Sequence, residues 1–416
     1  MTRFMEKLQL WLDPVLTKFS NLKLLLLLNL GLSFIGPLVL IGSLVIIVTQ
    51  LPFNNWQHLI APLLPQLKIP AQLIFGYFSL LVAINMSFAA TKLNQLSPQT
   101  GTSVGIIAFL LVSLDTQGHL STTAMGPQNF FSAICVPLLA IEALRWLTVH
   151  NFKPRSMGNL PPAVPTSFLS VLPALIVLLV TGSLQWLCPL PISTLLNWLF
   201  TPLITLFNSL GGLLIVLFLT LLLWVVGIHG NNVIGALLTP FFLQSLVLNG
   251  LNALNGQPVT RITADGFLNF GMNIGGTGAI LALTLCTFTA KSKRFKELGR
   301  MGLLPSCFGI SESVVFGLPV VMNPTFVVPF IGIPMLLQGL TYLLMQAHLV
   351  SPVIAQVPWT TPTILNGFLI TGGDWRAACW QLVELVIAVA CYWPFFHAYD
   401  QRTWQREQAQ TTSTMN

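Results

Sequence analysis

Long apolar runs recur from one end of the chain to the other, each closed by a short polar, proline-rich or basic stretch. Ten of them reach spanning length, at about 26–48, 71–92, 102–118, 129–148, 167–187, 209–228, 232–250, 274–290, 324–346 and 379–397. A helix needs about 20 consecutive apolar residues to cross the bilayer core. The repetition therefore predicts an all-α polytopic membrane protein with about ten transmembrane helices. Between the first two runs, "TQLPFNNWQHLIAPLLPQLKIP" (49–70) is broken by proline and too polar to span. "PLPISTLLNWLFTPLITLFN" (189–208) reads as an amphipathic helix at the membrane surface.

Two apolar stretches do not read as plain helices. These are "MGLLPSCFGISESVVFGLPVVMN" (301–323) and "VSPVIAQVPWTTPTILNGFLITGG" (350–373), both studded with Gly, Pro, Ser and Thr. Non-helical backbone at membrane depth is tolerated only where protein buries it or a water-filled cavity receives it. Both stretches are expected to be re-entrant hairpins lining a substrate cavity.

Composition agrees with the pattern. The 416 residues are 54% hydrophobic and 7% charged, against roughly 25% charged in soluble domains; mean hydropathy is +0.79. The net charge of +7 does not point to a nucleic acid. Its basic residues group at Arg3–Lys23, at Lys92, at Arg145–Arg155, at Lys291–Arg300 and at Arg402–Arg406, each after an even number of crossings. Positive charge collects in cytoplasmic loops, so both termini are expected in the cytoplasm, with Arg261 an exception on the outer side. No cleavable signal peptide is evident, because 1–22 is amphipathic and of mixed charge. The proline-rich "FKPRSMGNLPPAVPTSF" (152–168) reads as a linker. It divides an N-terminal membrane region (1–166) from a C-terminal one (167–400), with 401–416 a polar cytoplasmic tail. The six cysteines form no CxxC pair, and no P-loop lysine motif offers ATP-driven transport.

Ionisable groups within the apolar frame are the candidate chemistry, because each costs at least roughly 2.5–3.5 kcal/mol to place there. Glu312 lies in "GISESVVFGLPVVMNP" with no basic neighbour. A carboxylate there can accept a hydrogen bond from a substrate hydroxyl or take its proton. His229, in "LLLWVVGIHGNN", ends a very apolar run beside Gly230 and the polar pair Asn231 and Asn232, which suggests a helix break with an open polar end. Two dispersed ligands are too few for a Zn²⁺ site, and no metal or cofactor is expected. "VPWTTPTILNGFL" sets Trp359 beside Thr360, Thr361 and Asn366, and Trp224 stands five residues before His229. An indole face packed on sugar C–H groups, with amides and hydroxyls taking the sugar hydroxyls, is a carbohydrate-binding arrangement. Asp115, Glu142, Asp374 and Glu384 read instead as structural, Glu142 pairing with Arg145 three residues on. The residues alone also leave open an ion-coupled secondary transporter with Glu312 and His229 as a proton relay, or a scaffold subunit without a ligand.

"LLWVVGIHGNNV" (222–233), "FGISESVVFGLPVVMNP" (308–324) and "PWTTPTILNGFLITGGDWRAA" (358–378) together resemble the IIC permease of the bacterial phosphoenolpyruvate:sugar phosphotransferase system, in the lactose/cellobiose/diacetylchitobiose family. "LKLLLLLNLGLSFIGPLVLIGS" and "MGPQNFFSAI" also fit, so the resemblance covers essentially the whole chain. It implies a homodimer joined through its N-terminal half, with two re-entrant hairpins and a C-terminal half that holds the sugar and moves as an elevator. It implies sugar contacts at His229, Glu312, Trp224 and Trp359, with Gln128 and Asn129 as further contacts; Asn231, in the open polar end after His229, completes the set. A β-linked disaccharide would be carried inward and phosphorylated on its 6-hydroxyl by a phosphocysteine on a separate IIB protein, itself charged by IIA. Phosphoryl transfer would then belong to the chain only together with IIB. The family pattern has proline after the glutamate, where this chain has Ser313.

Overall fold

The computed structural model describes residues 21–115, 117–150, 170–321 and 323–415, together with Pro14 and Lys18. The linker 152–168 and most of the 1–22 segment fall outside the described residues. Among the described residues every regular element is helical, and one isolated backbone bridge joins Leu114 and Leu120.

Five helices are long and apolar enough to cross a bilayer: Asn54–Gly76, Pro127–Val149, Gly230–Leu254, Pro324–Gln346 and the apolar part of Trp375–Met415. Counting two bent pairs as single spans raises this to seven: Lys23–Ser33 with Gly36–Gln50, bent by 42°, and Val171–Leu187 with Ile192–Phe207, bent by 78°. Phe78–Leu93, Pro98–Val112 and Leu210–Val225 are shorter apolar helices.

Two expectations need correction. The stretch 49–70, expected to be too broken and polar to span, belongs to the helical run Asn54–Gly76, which has spanning length and apolarity. Pro62 and Pro65 stand in the first turn of successive segments, Ala61–Leu63 and Leu64–Gly76, where a missing N–H costs nothing. The run 274–290 departs the other way. Only Ile280–Thr287 is helical, and the backbone before it turns through positive φ at Gly275, Gly276 and Gly278. Hydropathy cannot tell a buried irregular segment from a buried helix; here the glycines decide.

The Ile192–Phe207 helix, expected at the membrane surface, has no buried residue, and its Phe200 stacks on Phe131 at 4.3 Å. The expected polar tail is helical as far as Met415, continuing the last helix. In the N-terminal half, Phe78 stacks on Phe130 at 5.6 Å and ties the second and fourth apolar runs together. Glu142 takes hydrogen bonds from Lys23, from Asn94 Nδ2 (2.8 Å) and from Arg145 Nε (3.0 Å), so its expected pairing with Arg145 is one part of a larger knot. The largest apolar core runs from Leu27 to Ala377 and crosses the expected division at 166/167. A second core, from Leu217 to Phe396, lies wholly in the C-terminal half and supports the cavity described next.

Candidate functional site

A cavity of about 460 Å³ opens where four chain segments leave regular structure. They are the break between Leu210–Val225 and Gly230–Leu254, the irregular stretch before Ile280, the turn between Lys293–Cys307 and Glu312–Gly317, and the non-helical run before Leu365. The volume lies within the roughly 300–1,000 Å³ of small-molecule sites.

Five of the seven residues singled out from the sequence line it: Trp224, His229, Asn231, Glu312 and Trp359. Glu312 is exposed to the cavity and makes no hydrogen bond or ion pair with any described residue, His229 included. His229 stands at the N-terminus of its helix, its ring 4.4 Å from that of Trp224 and its nitrogens unengaged by described residues. Trp224 is buried, and its Nε1–H donates to Asn231 Oδ1 at 3.1 Å. The relay continues from Asn231 Nδ2 to Thr277 Oγ1 (3.2 Å) and from that hydroxyl to Asn273 Oδ1 (3.4 Å). Trp359, by contrast, is 70% exposed and offers its ring to whatever occupies the cavity. Apart from Glu312 and His229, the polar lining is neutral amide and hydroxyl. That lining suits an uncharged polyhydroxylated ligand.

Gln128 and Asn129 do not join this cavity. Gln128 is exposed elsewhere, and Asn129 is buried, its Nδ2 donating to the Ala124 carbonyl at 3.1 Å. Sequence reasoning missed Asn269, Asn273 and Thr277, which form one wall. Their signal was "NFGMNIGGTG" (269–278), a glycine- and asparagine-rich run that straddles the start of an expected span. At Gly276, φ is +102°, and a Cβ would lie 2.4 Å from that of Ser311, so this wall and the glutamate turn meet at backbone range.

Two of the structural carboxylates bind neighbouring segments. Asp374 pairs with Arg376 Nε at 2.9 Å and accepts the Ser351 N–H, closing the non-helical run onto the start of the last helix. Glu384 is fully buried; its Oε1 accepts from the Gly271 N–H (3.1 Å) and the Thr341 hydroxyl (2.6 Å). A second groove, about 510 Å³, lies among Val112, Val136, Ile176 and Leu184, and its lining is almost wholly apolar. It lacks the convergent polar groups that hold a small polar ligand.

Residues 31–334 match the family model for the phosphotransferase system EIIC component. The chain belongs to the phosphotransferase system EIIC family. It is 33% identical to a putative permease IIC component of Bacillus subtilis, over 100% of this chain and 99% of that protein. It is 30% identical to the cellobiose-specific EIIC component of Geobacillus stearothermophilus, over 99% and 98%. The fold matches the crystal structure of ChbC, the IIC component of the N,N'-diacetylchitobiose-specific system, with a TM-score of 0.86 at 28% identity, covering 97% of this chain and 99% of that one. This EIIC chain is thus a sugar permease of the phosphotransferase system and a multi-pass membrane protein.

Proposed function

We propose that this EIIC chain binds a β-linked disaccharide of the cellobiose, chitobiose or lactose type in the cavity between Trp224 and Glu312 and carries it inward for phosphorylation. The observation that carries the reading is the placement of Glu312 and His229, with free bonding capacity, between a buried and an exposed tryptophan. The specificities of the cellobiose and diacetylchitobiose relatives support the substrate class.

On this reading Trp359 packs on the apolar face of a sugar ring, while Asn231, His229 and the amides of the opposite wall take hydroxyls. Glu312 orients the 6-hydroxyl. A phosphocysteine on a separate IIB protein, recharged by IIA, gives up its phosphoryl group: the S–P bond breaks, an O–P bond to the sugar forms, and the hydroxyl proton passes to Glu312. The product carries nearly two negative charges, and once Glu312 has released the proton to water its carboxylate disfavours the product's return, so transport runs one way. The protein works as a homodimer in the cytoplasmic membrane with ten spans and both termini inside. The stretches 301–323 and 350–373 act as re-entrant hairpins, and the C-terminal half moves as an elevator.

Radiolabelled cellobiose, diacetylchitobiose and lactose presented to the purified protein test the substrate class. At least one is expected to bind saturably and to be displaced by unlabelled sugar. Binding of none of the three would remove the reading.

A further inference from the structure

Gln381 lies fully buried on the last helix, one turn before Glu384, and does not touch the cavity. Its side-chain amide is nonetheless held by the cavity's walls. Oε1 accepts the backbone N–H groups of Ile364 (2.7 Å) and Gly367 (2.9 Å), and Nε2 donates to the Asn269 carbonyl (3.1 Å). Backbone N–H groups only donate and carbonyls only accept, so the partners fix the amide's orientation. The first two partners flank Asn366 on one wall; the third is Asn269 on the other.

Ile364 itself is strained. Its φ of +78° and ψ of −56° describe a tight turn that a β-branched residue rarely adopts. Such a conformation persists only where the surroundings over-determine it. Here the short hydrogen bond from Ile364 N to Gln381 supplies that constraint. Gly367 fits the same purpose, since a Cβ there would lie 2.6 Å from Gln381 Oε1 and 3.2 Å from the Ala377 carbonyl.

We infer that Gln381 is a positioning residue for sugar recognition: its amide joins the Thr363–Asn366 wall to the Asn269 wall and holds the strained turn at Ile364, so that Asn366 and Asn269 face the same ligand. Glu384, one turn on, adds a second tie through Gly271 N, in the same segment as Asn269. The inference rests on the cavity being the sugar site.

The test is uptake by right-side-out vesicles that hold the full chain, phosphoenolpyruvate and the phosphocarrier proteins. The labelled sugar is whichever of cellobiose, diacetylchitobiose or lactose the wild type takes up. Gln381→Met keeps the shape and removes all three hydrogen bonds. Gly367→Ala keeps the amide and displaces it. Because Gln381 contacts neither the sugar nor the phosphoryl group, both variants are expected to raise KM by about tenfold or more, as befits lost or unpaired buried hydrogen bonds, with kcat per folded protein unchanged. A merely structural residue would lower the amount of folded protein and leave KM alone. Unchanged KM in both variants overturns the inference while leaving the transport function intact. If Gln381→Met does not fold, the KM of Gly367→Ala decides. A wild type that takes up none of the three sugars overturns the functional reading, and the inference with it.

Discussion

Glu312→Gln abolishes accumulation of phosphorylated disaccharide in cells whose uptake the wild-type chain restores. The substitution keeps the size and one acceptor oxygen of the side chain but removes its charge and its capacity to take a proton. A hydrogen bond to a charged group contributes about 1.5–3 kcal/mol, roughly ten- to hundredfold in affinity. Loss of a positioned general base costs a further factor of about 10²–10⁴ in rate. Both losses fall on the same residue, because the Glu312 side chain lines the cavity with no hydrogen bond or ion pair to a described residue. Measured as sugar 6-phosphate formed per milligram of membrane protein, the variant should lie at the background of cells without the gene. Wild-type accumulation would remove Glu312 from the mechanism.

Gly276→Ala should also be damaging, although it removes no polar group. At φ = +102° an L-residue is strained, at about 1–3 kcal/mol. The added methyl would also lie 2.4 Å from Ser311 Cβ and 3.0 Å from the Gly309 carbonyl. Overpacking of this kind costs a further 1–3 kcal/mol or so. Part of the contact is with backbone, so relief requires moving the turn that carries Glu312 away from the wall that carries Asn273 and Thr277. Sugar binding to purified protein should fall at least about tenfold even where the variant is extracted in normal amount, since each 1.4 kcal/mol is about tenfold in affinity. Undiminished binding would show that the two walls need not be in register.

The sequence made the polar half of the site legible because charge and amide groups in an apolar frame are costly and have few structural uses. Trp224, His229, Asn231, Glu312 and Trp359 each lie within three residues of a glycine or proline, and all five meet in one cavity. The opposite wall was not legible. Asn269, Asn273 and Thr277 fall in or beside a run whose average hydropathy reads as a span, although its glycines permit left-handed backbone that no helix uses. Proline misled in the other direction at 49–70, where Pro62 and Pro65 fall in the first turns of successive segments and the second helix also holds Pro70 in its interior. Gln128 and Asn129 entered through resemblance alone, and the local hydrogen bonding of Asn129 engages it elsewhere. Gln381 and Glu384 could not be interpreted from their own neighbourhood, because most of their partners arrive from far along the chain, Asn269 and Gly271 from more than a hundred residues away.

The central claim is that the sugar in this cavity moves with phosphorylation and not with an ion gradient. Uptake of labelled disaccharide into right-side-out vesicles measures this directly, with phosphoenolpyruvate and the phosphocarrier proteins loaded inside and a protonophore added outside. The account predicts accumulation of sugar 6-phosphate that requires phosphoenolpyruvate and the carriers and persists when the protonophore collapses the gradient. Accumulation of unmodified sugar without phosphoenolpyruvate, lost on adding the protonophore, would contradict it and make Glu312 and His229 a proton relay instead.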